Sequence, residues 1–194
     1  MLTGMTDPSP GADPARNAAR TRAALVAAAR KRFADDGFAA TTVRAVAADA
    51  GVDAALVMRY FGSKRGLYDA ATAVDLHLPD FTAVPRRRLG SMIVETFLDR
   101  WEGPEGEPLR ILLASAATEP SAAEQMRTIF ADQVRPAVTA AGADPDVHIE
   151  VIASTLIGMA MMRYVLRVPD VVALRPDEIV ERFGPGLQRA LVRR

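Results

Sequence analysis

The sequence predicts an all-α protein of two parts, and three observations carry that prediction. Alanine, leucine and valine dominate a chain of 194 residues that is 49% apolar and 25% charged, an ordinary composition for a globular chain with a packed core. Apolar residues recur at helical spacing, without sustained strand-like alternation. Prolines fall near the ends of the periodic stretches, where helices tolerate them best.

Residues 1–15 open with acids and prolines where a secretory signal would carry a basic patch and an apolar run, so they read as a disordered leader. A first helix is expected over Arg16–Asp36, because Leu25, Ala29 and Phe33 recur at i, i+4 and i+8 and Gly37 supplies a stop. Thr42 is the expected cap of a short second helix, on which Val43, Val46, Ala47 and Ala50 share one face. Gly51 ends it, Asp53 caps a third helix of one to two turns ending near Tyr60, and Ser63 caps a fourth through Leu67, Tyr68 and Ala71. These helices make a first domain over residues 16–76.

From 77 to 88 (HLPDFTAVPRRR) the pattern lapses, and the segment reads as a hinge whose Arg86, Arg87 and Arg88 form a solvated face. A larger helical bundle is expected over residues 89–194, with helices at Leu89–Trp101, Pro108–Ala117, Ser121–Ala141, Pro145–Val168 and Pro176–Val192. Loops such as WEGPEGEP, TEPS, AGADPD and VPD separate them, and Pro136 and Pro185 predict kinks or breaks. The longest charge-free run in this half, Val151–Met162, is twelve residues, whereas a membrane span needs about 20. A cytoplasmic chain without a membrane partner is expected.

The chain has no cysteine, which excludes a disulfide framework, a thiol nucleophile, a zinc finger and an iron–sulfur site. His77 and His148 are far apart and fit no metal-ligand spacing, so neither metal nor cofactor is expected. The segment Ala39–Phe61 (AATTVRAVAADAGVDAALVMRYF) pairs two short helices across a glycine turn, the plan of a helix-turn-helix whose second helix enters a major groove. Its charge agrees. The whole chain is neutral, with 24 basic and 24 acidic side chains, yet Arg16–Tyr68 holds ten Arg/Lys against four Asp/Glu, the local positive excess that phosphate contact requires.

The stretch TRAALVAAARKRFADDGFAATTVRAVAADAGVDAALVMRYFGSKRGLYDA resembles the N-terminal domain of the TetR family of bacterial transcriptional regulators. The likeness rests on the alanine-rich helix ending in Phe33, on Gly37-Phe38, on Thr41-Thr42, on Ala47–Val52, on Tyr60-Phe61, and on Ser63-Lys64 followed by Leu67. The C-terminal half resembles the family's dimer-forming and effector-binding domain in length and helical plan. The resemblance implies that Thr42 sets a hydroxyl and helix N-terminal N–H groups against a phosphate, and that Arg44 reaches a base. It implies that Asp53, Ala54 and Ala55 open the recognition helix, that Arg59 and Tyr60 meet backbone or flanking bases, and that Lys64 neutralises a phosphate. Asp53 reads as a plain N-cap or as an acceptor for a cytosine amino group. Met58 stands where the family usually has tyrosine, so less backbone anchoring or an apolar base contact is expected there.

In the second half, Val147–Val168 is apolar nearly all round and reads as buried on more than one side. Small residues on it (Ala153, Ser154, Gly158) and the stripe Ile179, Phe183, Leu187 and Leu191 on the last helix are the expected faces of a homodimer. Such a dimer would set two recognition helices about 34 Å apart on a palindromic operator in double-stranded DNA. Met126, Phe130, Met159 and Met162, with Arg163, are the expected lining for a small hydrophobic effector. The whole then reads as a ligand-released repressor. The alternative is a small helical ligand carrier or enzyme that uses the C-terminal cavity beside a degenerate DNA-binding domain. No GxSxG, Gly-rich phosphate loop or metal-ligand spacing supports the enzyme. An architectural DNA binder would be basic overall, which this neutral chain is not.

Overall fold

The structure, a computed structural model, describes residues 14–142 and 149–191. Most of the leader, His148 and the expected helix start at Pro145 lie outside the described residues, within which no strand occurs.

Four helices form the head: α1 (Pro14–Ala40), α2 (Val43–Asp49), α3 (Ala54–Phe61) and α4 (Lys64–Thr72). Gly37, expected to stop α1, instead kinks it at φ 76°, and one further helical turn follows. The caps fall where the sequence puts them. Thr42 accepts the N–H of Ala45, Asp53 that of Ala55 and Ser63 that of Gly66, each satisfying a donor that a helix start leaves without an intrahelical partner. Gly51 turns the chain between α2 and α3 at φ 67°, a left-handed conformation that costs glycine nothing.

The body comprises α5 (Leu89–Glu102), α6 (Gly106–Ser115), α7 (Pro120–Ile129), α8 (Arg135–Ala140), α9 (Ile149–Ala160), α10 (Pro169–Val172) and α11 (Pro176–Leu191). The helix expected over Ser121–Ala141 divides into α7 and α8 through a π turn, Phe130–Val134. Pro136 accounts for it, since proline brings no N–H and its ring crowds the carbonyl four residues back, that of Asp132. Pro185 breaks nothing, and α11 runs continuously through it. The VPD stretch, expected as loop, holds the short helix α10, and α9 runs into a second π turn at Met161–Val165.

The segment between head and body is more ordered than a hinge. It folds into 3₁₀ turns at Phe81–Ala83 and Arg86–Arg88, and Phe81 is buried. Gln133 clasps it from the body, accepting the Leu76 N–H at 2.7 Å and donating to the Val74 carbonyl at 3.0 Å.

Two apolar cores result, and their border does not follow the chain's division. The first gathers Leu25, Phe33, Val46, Val57, Leu67 and Tyr68 of the head together with Trp101, Ile111 and Leu112 of the body. Phe33, Phe38 and Tyr68 meet in it, with both phenylalanine rings edge-on to Tyr68 at about 5 Å. The second joins α5, α9 and α11 around Val94, Ile152, Ile179 and Leu187. There α5 and α11 approach so closely that a Cβ on Gly90 would lie 2.5 Å from the Gln188 nitrogen, so only glycine fits the crossing.

Candidate nucleic-acid interface

On α3 the inner face is Ala54, Val57 and Phe61, at i, i+3 and i+7, with Val57 fully buried. That turns Ala55, Met58 and Arg59 outward, and all three are exposed, Met58 by 51%. Arg44 on α2 is exposed as well. Neither Arg44 nor Arg59 makes a hydrogen bond or ion pair among the described residues.

The charge of the head is sorted as well as concentrated. Three of the four acids within Arg16–Tyr68 are engaged by two cations at the far end of α1: Lys31 pairs with Asp35, and Arg32 reaches both Asp36 and Asp49. The Arg32 guanidinium, hydrogen-bonded to Asp49, holds that carboxyl below its ordinary range. The fourth acid, Asp53, spends Oδ1 on the Ala55 N–H at 2.7 Å. The uncompensated positive charge is therefore left to arginines such as Arg44 and Arg59.

The remaining residues expected at the interface divide. Thr42 is exposed at the α2 start, and with its oxygen accepting the Ala45 N–H its own hydrogen stays available to an anion. Asp53 is the N-cap of α3 and keeps its other carboxylate oxygen exposed. Ala54 is half-buried against the core, as is Tyr60, whose ring meets Phe61. Lys64 donates to the Ala39 carbonyl at 3.2 Å and lies over the Phe38 ring, so part of its function is to tie α4 to the end of α1. Arg22, over the Phe61 ring at 5.2 Å, braces α1 against α3. Sequence reading missed it because nothing in the α1 pattern marks which arginine crosses to another helix.

In the body the expected effector residues divide between the two cores, Met126 against the first and Met159 in the second. Met159 is buried, Met126 and Phe130 are half-buried, and Met162 is 40% exposed. Arg163 is structural: it donates to the carbonyls of Val171, Val172 and Leu174 and to Glu102, closing the orphan carbonyls at the end of α10. Beside it Tyr164 donates to Glu102, and burial together with that carboxylate pushes its hydroxyl up to about 12. The apolar cavity lies elsewhere, about 80 Å³ between the connecting segment, α5, α8 and α9, and none of the five expected residues lines it.

Of the expected dimer faces, the stripe on α11 is corrected in the same way. Ile179 and Leu187 are buried inside the chain's own second core against α5, and Phe183 is half-buried there. Ser154 and Gly158 are exposed, in line with Val151 and Met162 at i, i+3, i+7 and i+11. Thus α9 packs into both cores, through Ile157 and Ala160 in the first and Ile149, Ile152 and Met159 in the second, and leaves one face exposed.

A four-helix head whose capped α2–α3 pair turns Arg44 and Arg59 outward, set on an all-α body with an apolar cavity, defines the class of helix-turn-helix regulators. Two family models bear on the chain: residues 25–71 match that of bacterial regulatory proteins of the tetR family, and residues 88–191 match that of the tetracyclin repressor-like C-terminal domain. The chain belongs to the TetR family. Among solved structures it is similar to a TetR-family regulator of Streptomyces coelicolor A3, with 26% identity, TM-score 0.57, and 94% of this chain and 99% of the other covered. It is also similar in fold to NalD of Pseudomonas aeruginosa, with 20% identity, TM-score 0.69, and 91% and 98% covered. The multidrug binding protein EbrR, crystallised with imidazole, shares 20% identity at TM-score 0.65, with 94% and 93% covered. No curated protein matches the chain. Among the described residues no helix is long and apolar enough to cross a membrane.

Proposed function

We propose that the chain is a repressor that binds a palindromic operator as a homodimer and leaves it when a small apolar effector enters the body. The observation that carries the reading is the outward stripe Ala55, Met58 and Arg59 on a helix whose start is fixed by Asp53, with Arg44 uncommitted beside it. Side chains held this way on a short rigid helix can read base edges without first breaking internal contacts. The dimer reading is supported by the face of small and apolar residues that the chain leaves exposed, Val151, Ser154 and Gly158 on α9 and Met162 in the π turn after it. Effector control is supported by the cavity, whose wall includes Leu76, Leu78 and Phe81 of the segment joining head to body. A ligand that prefers one position of that segment would bias the spacing of the two heads. NalD is described as a repressor of a multidrug efflux pump, which accords with this reading.

Selection from a random DNA pool with purified protein, followed by anisotropy titration of the winner at two salt concentrations, tests it. An enriched inverted repeat bound far more tightly than scrambled DNA is the expected result. Absence of enrichment, with weak and steeply salt-dependent binding, would overturn it.

A further inference from the structure

We propose that the body cavity takes a small apolar acid whose carboxylate sits on Arg100; this rests on reading the cavity as the effector site. Its wall is apolar on nearly every side, with Phe81 from the connecting segment, Ile93, Phe97 and Trp101 from α5, and Ile152 and Leu156 from α9. Among the described residues that line it, Arg100 is the one charged side chain and no carboxylate is present. The Arg100 guanidinium is only partly satisfied. Nη2 donates to the His77 carbonyl at 2.9 Å, while Nε is buried and has no hydrogen-bond partner among the described residues.

A buried guanidinium N–H beside an apolar space is unfavourable until an acceptor, above all an anionic one, reaches it, even where the rest of the group is partly exposed. Thr96 lies one helical turn before Arg100, at i and i+4 on α5, and also lines the cavity. One carboxylate can accept from both the Arg100 Nε–H and the Thr96 hydroxyl, with its apolar body against the aromatic and aliphatic wall. An amine would be repelled by Arg100, and an amide or alcohol would leave the positive charge uncompensated. The volume of about 80 Å³ is below the ~150 Å³ that admits a benzene ring, so it suits an acid of two or three carbons.

The same guanidinium holds the connecting segment. His77, at φ 44°, accepts from Arg100 Nη2, so an acid seated on Nε would share one guanidinium with the segment between head and body.

The test compares acids with neutral isosteres on the unaltered full chain by calorimetry and thermal shift, using acetate against acetamide and propionate against propionamide. The acids are expected to bind at least tenfold more tightly. Arg100→Gln is expected to erase the preference while keeping the amide affinity, and Arg100→Lys to restore part of it. Equal binding of acid and amide, unchanged in Arg100→Gln, would refute the acid while leaving the cavity as effector site. No binding by any member of either series would refute both the acid and the cavity reading. The acid–amide comparison on the unaltered chain needs no variant to fold.

Discussion

In the head, the residues that shape the exposed surface act over a few positions: Thr42 on Ala45, Asp53 on Ala55, Ser63 on Gly66 and Gly51 on the turn between α2 and α3. In the body, the cavity draws its wall from Leu76 and Phe81, from Phe97 and Arg100, from Val134 and Val138, and from Ile152 and Leu156. The first kind of site is written in caps and turns, which short-range chemistry dictates. The second exists only once helices distant in sequence have packed, and single residues carry little sign of it. The two regions are nevertheless not independent bodies, because the first core runs from α1 and α4 into α6.

The sharpest way to break that contrast is through the shared core. Tyr68→Ala, at a fully buried site touching Phe33 and Phe38, is expected to cost about 3–5 kcal/mol, read in urea unfolding. A single transition moved for probes in both regions would show that head and body unfold together, and two separate transitions would show that the shared core does not bind them cooperatively. Gly90→Ala is expected to cost about 1–3 kcal/mol by forcing α5 from α11; an unchanged melting temperature would mean that the crossing can open without penalty.

On the head surface, Arg44→Ala is expected to weaken operator binding by about 1–3 kcal/mol and to relax one base position, while Lys64→Ala weakens every sequence alike and lowers the salt slope by about one. Equal losses on all sequences for both variants would remove the base-reading role of Arg44. Cap removal should be felt less, with Thr42→Ala costing about 1 kcal/mol in thermal unfolding. The smallest effect concerns Asp49, whose carboxyl lies below its ordinary value in the folded chain because of Arg32. Its contribution is present at neutral pH and is lost as pH falls below about 4, through the lowered value. Both partners are exposed, so Asp49→Asn should remove only a shallow part of the acid limb of the stability curve, and that part should vanish at high salt.

The head was legible almost residue by residue. Leu25, Ala29 and Phe33 form the buried stripe of α1, and Val46, Ala47 and Val57 hold the inner faces of α2 and α3. Periodicity plus capping suffices when helices are short and their ends are marked. Gly37 misled because glycine after an apolar stripe signals a stop equally well when the chain resumes its helix after a kink. In the body, apolar spacing located α5, α6 and α11 but could not say which apolar side chain faces a cavity, which faces the core and which faces outward. Ile179 and Leu187 share their stripe with residues that could as well meet a partner, and only the tight α5–α11 crossing at Gly90 settles that they point inward. Arg163 lay among methionines, yet its partners are the carbonyls ending α10, a helix whose two turn-forming residues, Pro169 and Asp170, read as loop.

The chain's one tryptophan, Trp101, lines the cavity, stacks on Tyr164 at 5.3 Å and is almost wholly shielded from water. The protein therefore carries its own optical reporter. Emission excited at the red edge of protein absorbance comes from this single indole, so its colour and intensity follow the dryness and crowding of the cavity wall with no label attached. Any molecule that enters beside the ring should register there before a single strand of DNA is added.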